Sequence, residues 1–107
     1  MLSAGLAVIG DAIHANKIAH GWKVTRPEDW QDQHEVLAVL MLVVTEIAEA
    51  AEAFRHDDKA NFAEELADVM IRTIGLAHGL EIDLGAAIEA KMAKNQGREY
   101  KHGGKRI

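Results

Sequence analysis

Nine consecutive apolar residues, 36–44, run directly into Thr45-Glu46-Ile47-Ala48-Glu49-Ala50-Ala51-Glu52. If both stretches share one helix, acids follow turns that are apolar on every side. A helix of that kind is buried. Glutamate is almost never fully buried unless it is paired or bound to a cation. The sequence therefore demands a compensating charge near these carboxylates.

The chain around this stretch has 107 residues, enough for one domain, 1–107. It is 49% hydrophobic and 27% charged, which argues against disorder. Without cysteine it has neither a disulfide framework nor a thiolate metal site, in keeping with a reducing cytoplasm. No apolar run is long enough to span a bilayer, and the N-terminus lacks the basic start of a signal peptide. The expectation is a soluble cytoplasmic protein with no membrane contact. Net charge is −5, but residues 91–107 hold six bases against one acid, so residues 1–90 carry −10. A basic tail on an acidic body suits either a polyanion ligand or neutralisation within the molecule.

Leu6, Ile9, Ile13 and Ile18 recur at roughly helical spacing and predict a helix over 2–20, stopped by Gly21. A polar segment follows with Trp22, Pro27 and Trp30; its tryptophans either cap the core or face a ligand. A second helix is expected over 34–55 and a turn at 57–59. Asn61, with Glu64 three residues on, predicts the N-cap of a third helix that reaches His78, with Gly79 as its C-cap. Asp83 predicts the cap of a fourth helix to about Asn95, before a flexible basic tail at about 97–107. No segment alternates with the period of a strand. The fold class is all-α: a four-helix core with an antiparallel hairpin that carries the acids. Four short helices cannot cover an apolar second helix, so a second subunit is expected to cover part of it.

Glu46 and Glu49 are spaced to share one helix face, and Glu65 and Asp68 repeat the spacing on the next helix. Glu49 stands about two turns before the loop and Glu65 about one turn after it, so the pairs meet at similar heights. Four converging carboxylates repel unless protonated or bridged by cations. An all-oxygen set suits Mg²⁺ better than zinc, and neither motif offers the Glu-x-x-His of carboxylate-bridged di-iron bundles. The plainer alternative is a solvated acidic face, or acids neutralised by Arg72 and nearby lysines.

Glu46-x-x-Glu49, Glu65-x-x-Asp68 and Lys91…Asn95-x-x-Arg98 together resemble the MazG-type all-α nucleoside triphosphate pyrophosphohydrolases. The likeness covers about residues 34–100; His14 and Gly21-Trp22 also resemble that family's N-terminal part. The resemblance implies cleavage of a nucleoside triphosphate between its α and β phosphates, giving a monophosphate and pyrophosphate. It implies Mg²⁺, with Mn²⁺ as a substitute, and a homodimer or homotetramer. Glu46, Glu49, Glu65 and Asp68 would be the metal ligands and the catalytic acids. Lys91, Asn95 and Arg98 would hold the phosphates. One position departs from the pattern: many members read Glu-Glu-x-x-Glu, and Thr45 stands where the leading glutamate is taken to orient water. Glu52 and Glu64 are the spare acids.

Trp22 or Trp30 is expected to stack on a nucleobase, with His14 in the same pocket, and Tyr100 with the tail is expected to fold over the phosphates. The rival readings are a non-catalytic helical oligomerisation module and a nucleic-acid contact through the tail. The acidic body opposes the second.

Overall fold

A computed structural model describes residues 1–97 of the chain; Arg98, Tyr100 and the rest of the expected tail lie outside them. Four α-helices make up the fold: α1 (Leu2–Ala19), α2 (Gln33–Arg55), α3 (Lys59–Gly79) and α4 (Leu84–Gln96), with a short 3-10 helix at Pro27–Gln31 before α2. The described residues contain no strand. The all-α expectation holds. No helix among them is long and apolar enough to cross a membrane.

The helix ends follow from side chains that satisfy the free N–H groups of the first turn. The Asp32 carboxylate accepts from the backbone N–H of His34 and Glu35 at 3.1 and 3.2 Å, and starts α2. Asp83 accepts from Ala86 N–H at 3.0 Å and starts α4, as its position in the sequence predicts. The expected start of α3 is corrected. Its cap is Asp58, whose carboxylate accepts from Asn61 N–H at 3.0 Å; Asn61 sits inside the first turn. Asp57 turns the chain just before, in the left-handed region at φ 53°.

The other end of α3 also differs from expectation. Gly79 is the last helical residue, and Leu80 is the cap. Glycine is needed at 79 for another reason: a Cβ there would collide with the Thr25 carbonyl and side chain. Close approach of the α1–α2 connection to the end of α3 explains it. Gly21, at φ 72°, closes α1 as expected, with Gly21 N–H donating to Ile18 O and Trp22 N–H to Lys17 O.

The hairpin of α2 and α3 is the main packing unit, and α1 lies against α3 and α4. The core is made mostly of small residues: three alanines, Ala50, Ala53 and Ala77, and one isoleucine, Ile74, are the buried apolar side chains among the described residues. Alanines let the two helices approach closely. The face of α2 turned away from α3 is uncovered. Leu37, Leu40, Met41, Val44 and Ile47 are all exposed at helical spacing, Met41 at 60%; Phe54, 75% exposed, lies on the α3 side, its ring centroid 6.5 Å from that of Phe62. Trp22 and Trp30 do not cap the core; they are 59% and 66% exposed.

Two glycines give opposite expectations. Gly79→Ala forces an overpacked contact and should lower unfolding free energy by ~1–3 kcal/mol. Gly5 lies inside α1 with open space where a methyl group would project, so Gly5→Ala should raise stability by ~0.5–1 kcal/mol. Urea unfolding followed by circular dichroism reads both; a neutral Gly79→Ala contradicts the packing.

Candidate active site

The hairpin sets the acids face to face. Glu49 stands six residues before the end of α2, and Glu65 six residues after the start of α3. At ~1.5 Å rise per residue both lie ~9 Å from the turn. One carboxylate oxygen from each of Glu46, Glu49 and Glu65 lies within 4.8 Å of the others. Three of the four predicted acids therefore converge.

Glu46 is the buried member, 8% exposed. The Nε–H of Arg72 donates to its Oε1 at 3.0 Å. The neutralising arginine considered from the sequence is thus present, but it serves one oxygen. Oε2 of Glu46 and Oε2 of Glu65 are sealed from solvent, and among the described residues no donor reaches either. Hydrogen bonding with Glu46, then with Glu49, then burial and the two negative charges push the Glu65 carboxyl up to about 7. The same contact with Glu65, followed by Arg72, holds Glu46 below the usual carboxylate range. A proton on Glu65 is the one hydrogen the trio itself can supply.

Two buried carboxylate oxygens without donors, with a third carboxylate beside them, suit a hard divalent cation. No histidine joins the set, which disfavours zinc or iron. Asp68 stands one turn beyond Glu65. It borders a hollow of about 500 Å³ with Lys17, Trp22 and Arg72. Arg72, four residues after Asp68, reaches both this hollow and Glu46.

The other expected site residues are more scattered. His14 lies in a different hollow from Trp22, beside His78, with ring centroids 5.8 Å apart. The shared pocket expected for His14 and Trp22 is not formed, because His14 faces the end of α3 near Thr25 and Gly79. Trp22 stacks on His20 with centroids 4.9 Å apart. Lys91 and Asn95 are exposed on α4, which packs on α1 and α3. Thr45 turns back on its own helix, its hydroxyl donating to Met41 O at 3.0 Å. Of the spare acids, Glu52 borders a hollow with Glu49 and Glu65, and also meets Arg55 at 3.8 Å and His56 at 3.5 Å; Glu64 is exposed. Sequence reading gave Lys17 and Lys23 no role. Lys17 precedes the helix stop in a segment read only for its apolar spacing.

Residues 34–102 match the family model of the MazG nucleotide pyrophosphohydrolase domain. The chain belongs to the MazG family. It is similar to dCTP pyrophosphatase 1 of Rattus norvegicus and of Mus musculus, each 31% identical over 87 residues that cover 69% of this chain and 51% of the relative. The Homo sapiens protein of that name matches at the same identity and coverage. The chain spans about half the length of these curated relatives. No solved structure matches it.

The raised Glu65 carboxyl links folding to pH. Because its folded value lies above the usual 4.5, its contribution is fully present below that value and is lost as pH rises through about 7. Without divalent metal, the melting temperature should therefore fall from pH 5 to pH 8. Glu65→Gln, which cannot ionise, should flatten the fall relative to wild type. Parallel slopes for the two proteins would contradict the crowding of the trio.

Proposed function

We propose that the chain is a Mg²⁺-dependent nucleoside triphosphate pyrophosphohydrolase that releases the monophosphate and pyrophosphate. The observation that carries this is the pair of sealed, donor-free oxygens on Glu46 and Glu65, set beside Glu49 in a MazG-family hairpin. Glu46, Glu49 and Glu65 would hold the metal, and Asp68 would join them from the next turn. When bound, Mg²⁺ supplies neutralisation of the acids and Lewis acidity at the reacting phosphate; Mn²⁺ would serve as its substitute.

The chain's own residues do the rest. Arg72 fixes Oε1 of Glu46 and so limits the rotation of its carboxylate. Trp22, exposed at the mouth of the hollow, offers a face on which a base can stack. Trp30 and His14 are the further base-side residues, and Lys91, Asn95, Arg98 and Tyr100 the phosphate-side ones assigned by the family motif. The relatives' name specifies dCTP, and we infer a deoxynucleoside triphosphate for this chain. The role that fits is clearance of unwanted nucleotides from a cytoplasmic pool. We also infer that a second copy covers the exposed stripe of α2, giving a homodimer or homotetramer.

Three experiments test this. Wild type with Mg²⁺ and a panel of canonical and modified nucleoside triphosphates should give pyrophosphate without orthophosphate by phosphorus NMR. Mg²⁺ should also raise the melting temperature, because it binds only the folded trio. Glu49→Ala and Asp68→Ala should lose turnover while keeping the helical spectrum. Unchanged turnover in both would sink this assignment of the acids, whereas no metal shift together with no pyrophosphate returns the chain to a non-catalytic helical module.

The oligomer has its own check. Met41→Asp places a charge on the apolar stripe and should shift the sedimentation coefficient towards the monomer. A wild-type chain that sediments as a monomer at tens of micromolar would remove the inference.

A further inference from the structure

The hollow that Asp68 borders holds one cation, Lys17, without an acidic partner among the described residues. Lys17, Lys23 and Arg72 border it, with Glu35 and Asp68 as its acids. Lys23 is tied to Glu35 at 2.7 Å. Asp68 is assigned above to the metal. Arg72 meets Glu46 through Nε, and among the described residues neither Nη has a carboxylate partner. Lys17 forms no ion pair among the described residues.

The Lys17 ammonium is also placed, not merely nearby. It lies over Gly75 on α3, where a Cβ would stand 3.4 Å from Nζ. Gly75 follows Arg72 by three residues, so both cations lie along one face of α3. Burial and then the charge of Arg72 lower the Lys17 pKa. Glu46 meets only the Nε side of Arg72, so an anion that reaches both Lys17 and the far edge of Arg72 would stabilise the pair. The volume, about 500 Å³, is within the ~300–1,000 Å³ of small-molecule sites.

We propose that Lys17 and the free Nη edge of Arg72 form an anion subsite that holds a phosphate of the nucleotide, between the acid trio and Trp22. Arg72 supplies a planar fork and Lys17 a point charge. Glu46 holds the fork by its Nε, so the Nη groups are oriented before the ligand arrives. The inference rests on the nucleotide pyrophosphohydrolase reading for the identity of the ligand, and adds Lys17 and Arg72 to the side chains that hold it.

Lys17 is the cleaner residue to change, since Arg72 also supports Glu46. The full chain is titrated calorimetrically with a deoxynucleoside triphosphate bearing a non-hydrolysable α,β-imido bridge, with tripolyphosphate, and with deoxycytidine. Lys17→Met should weaken the first two by about tenfold or more and leave the nucleoside unaffected. Lys17→Arg should restore most of the affinity. In turnover, Lys17→Met should raise KM with kcat largely retained, and the Mg²⁺-induced rise in melting temperature should match wild type. Imido-nucleotide and tripolyphosphate affinities in Lys17→Met equal to wild type overturn the proposal, and so does a Lys17→Arg variant as weak as Lys17→Met. Tripolyphosphate binding that depends on Lys17, in a chain that releases no pyrophosphate from any nucleotide, supports the anion subsite while refuting the enzymatic reading.

Discussion

The contact on which the hairpin depends is Arg72 Nε to Glu46 Oε1, 3.0 Å across the α2–α3 seam. Glu46 is the acid that its helix cannot leave in water, because it shares the inward face with Ala50 and Ala53. Removing a partner from such a pair leaves an uncompensated charge in a place of low polarity, which costs more than the pair contributes. Arg72 is therefore less a source of stability than a condition for burying Glu46. Two donor-free oxygens remain beside it. A chain selected for stability alone would replace the trio by apolar residues, so their presence directs attention to chemistry.

The apolar core offsets little of this electrostatic strain. Its buried side chains are three alanines and one isoleucine. Large apolar side chains are plentiful, but many lie on the outer face of α2, where the described residues give them little to pack against. The two faces of α2 therefore make separate demands. The inner face asks for a cation, and the outer face asks for a further apolar surface. Either ligand, by binding only the folded chain, would add to its stability.

The helices were legible from different signals: apolar spacing in α1 and α3, a continuous apolar run in α2 and Asp83 before α4, whereas Asp32 and Asp58, the caps of α2 and α3, were not read as such. The acid trio was legible for a related reason: loop length and helical rise fix the height of a residue along a hairpin. What spacing does not fix is side-chain direction. Asp68 shares a face with Glu65, yet borders the neighbouring hollow. Asn61 looked like a cap, but Asp58 reached the free N–H first. Arg72 was visible as a neutralising charge. Its bridge between Glu46 and the hollow was not, because that depends on where a long side chain lies. Lys17 carried no signal at all; its placement depends on Gly75 of another helix.

Thr45 shows how the charge balance constrains the rest of the site. Position 45 precedes Glu49 by one turn, so a glutamate there would add a fourth negative charge on the flank of the trio. Glu65 already retains its proton to about 7 in the presence of two neighbours. A further acid would push it higher and strengthen the competition between proton and metal. Threonine removes that burden; its hydroxyl donates to Met41 O of its own helix, and the position holds no carboxylate to take a proton from water. On the other flank Glu52 is one turn past Glu49 and borders the hollow with Glu49 and Glu65. Arg55 and His56 lie beside Glu52, so its charge adds less to the trio's repulsion than an unpaired acid at position 45 would. The acidic set is therefore displaced towards the hairpin turn, where Arg55 at the same helix end tempers it.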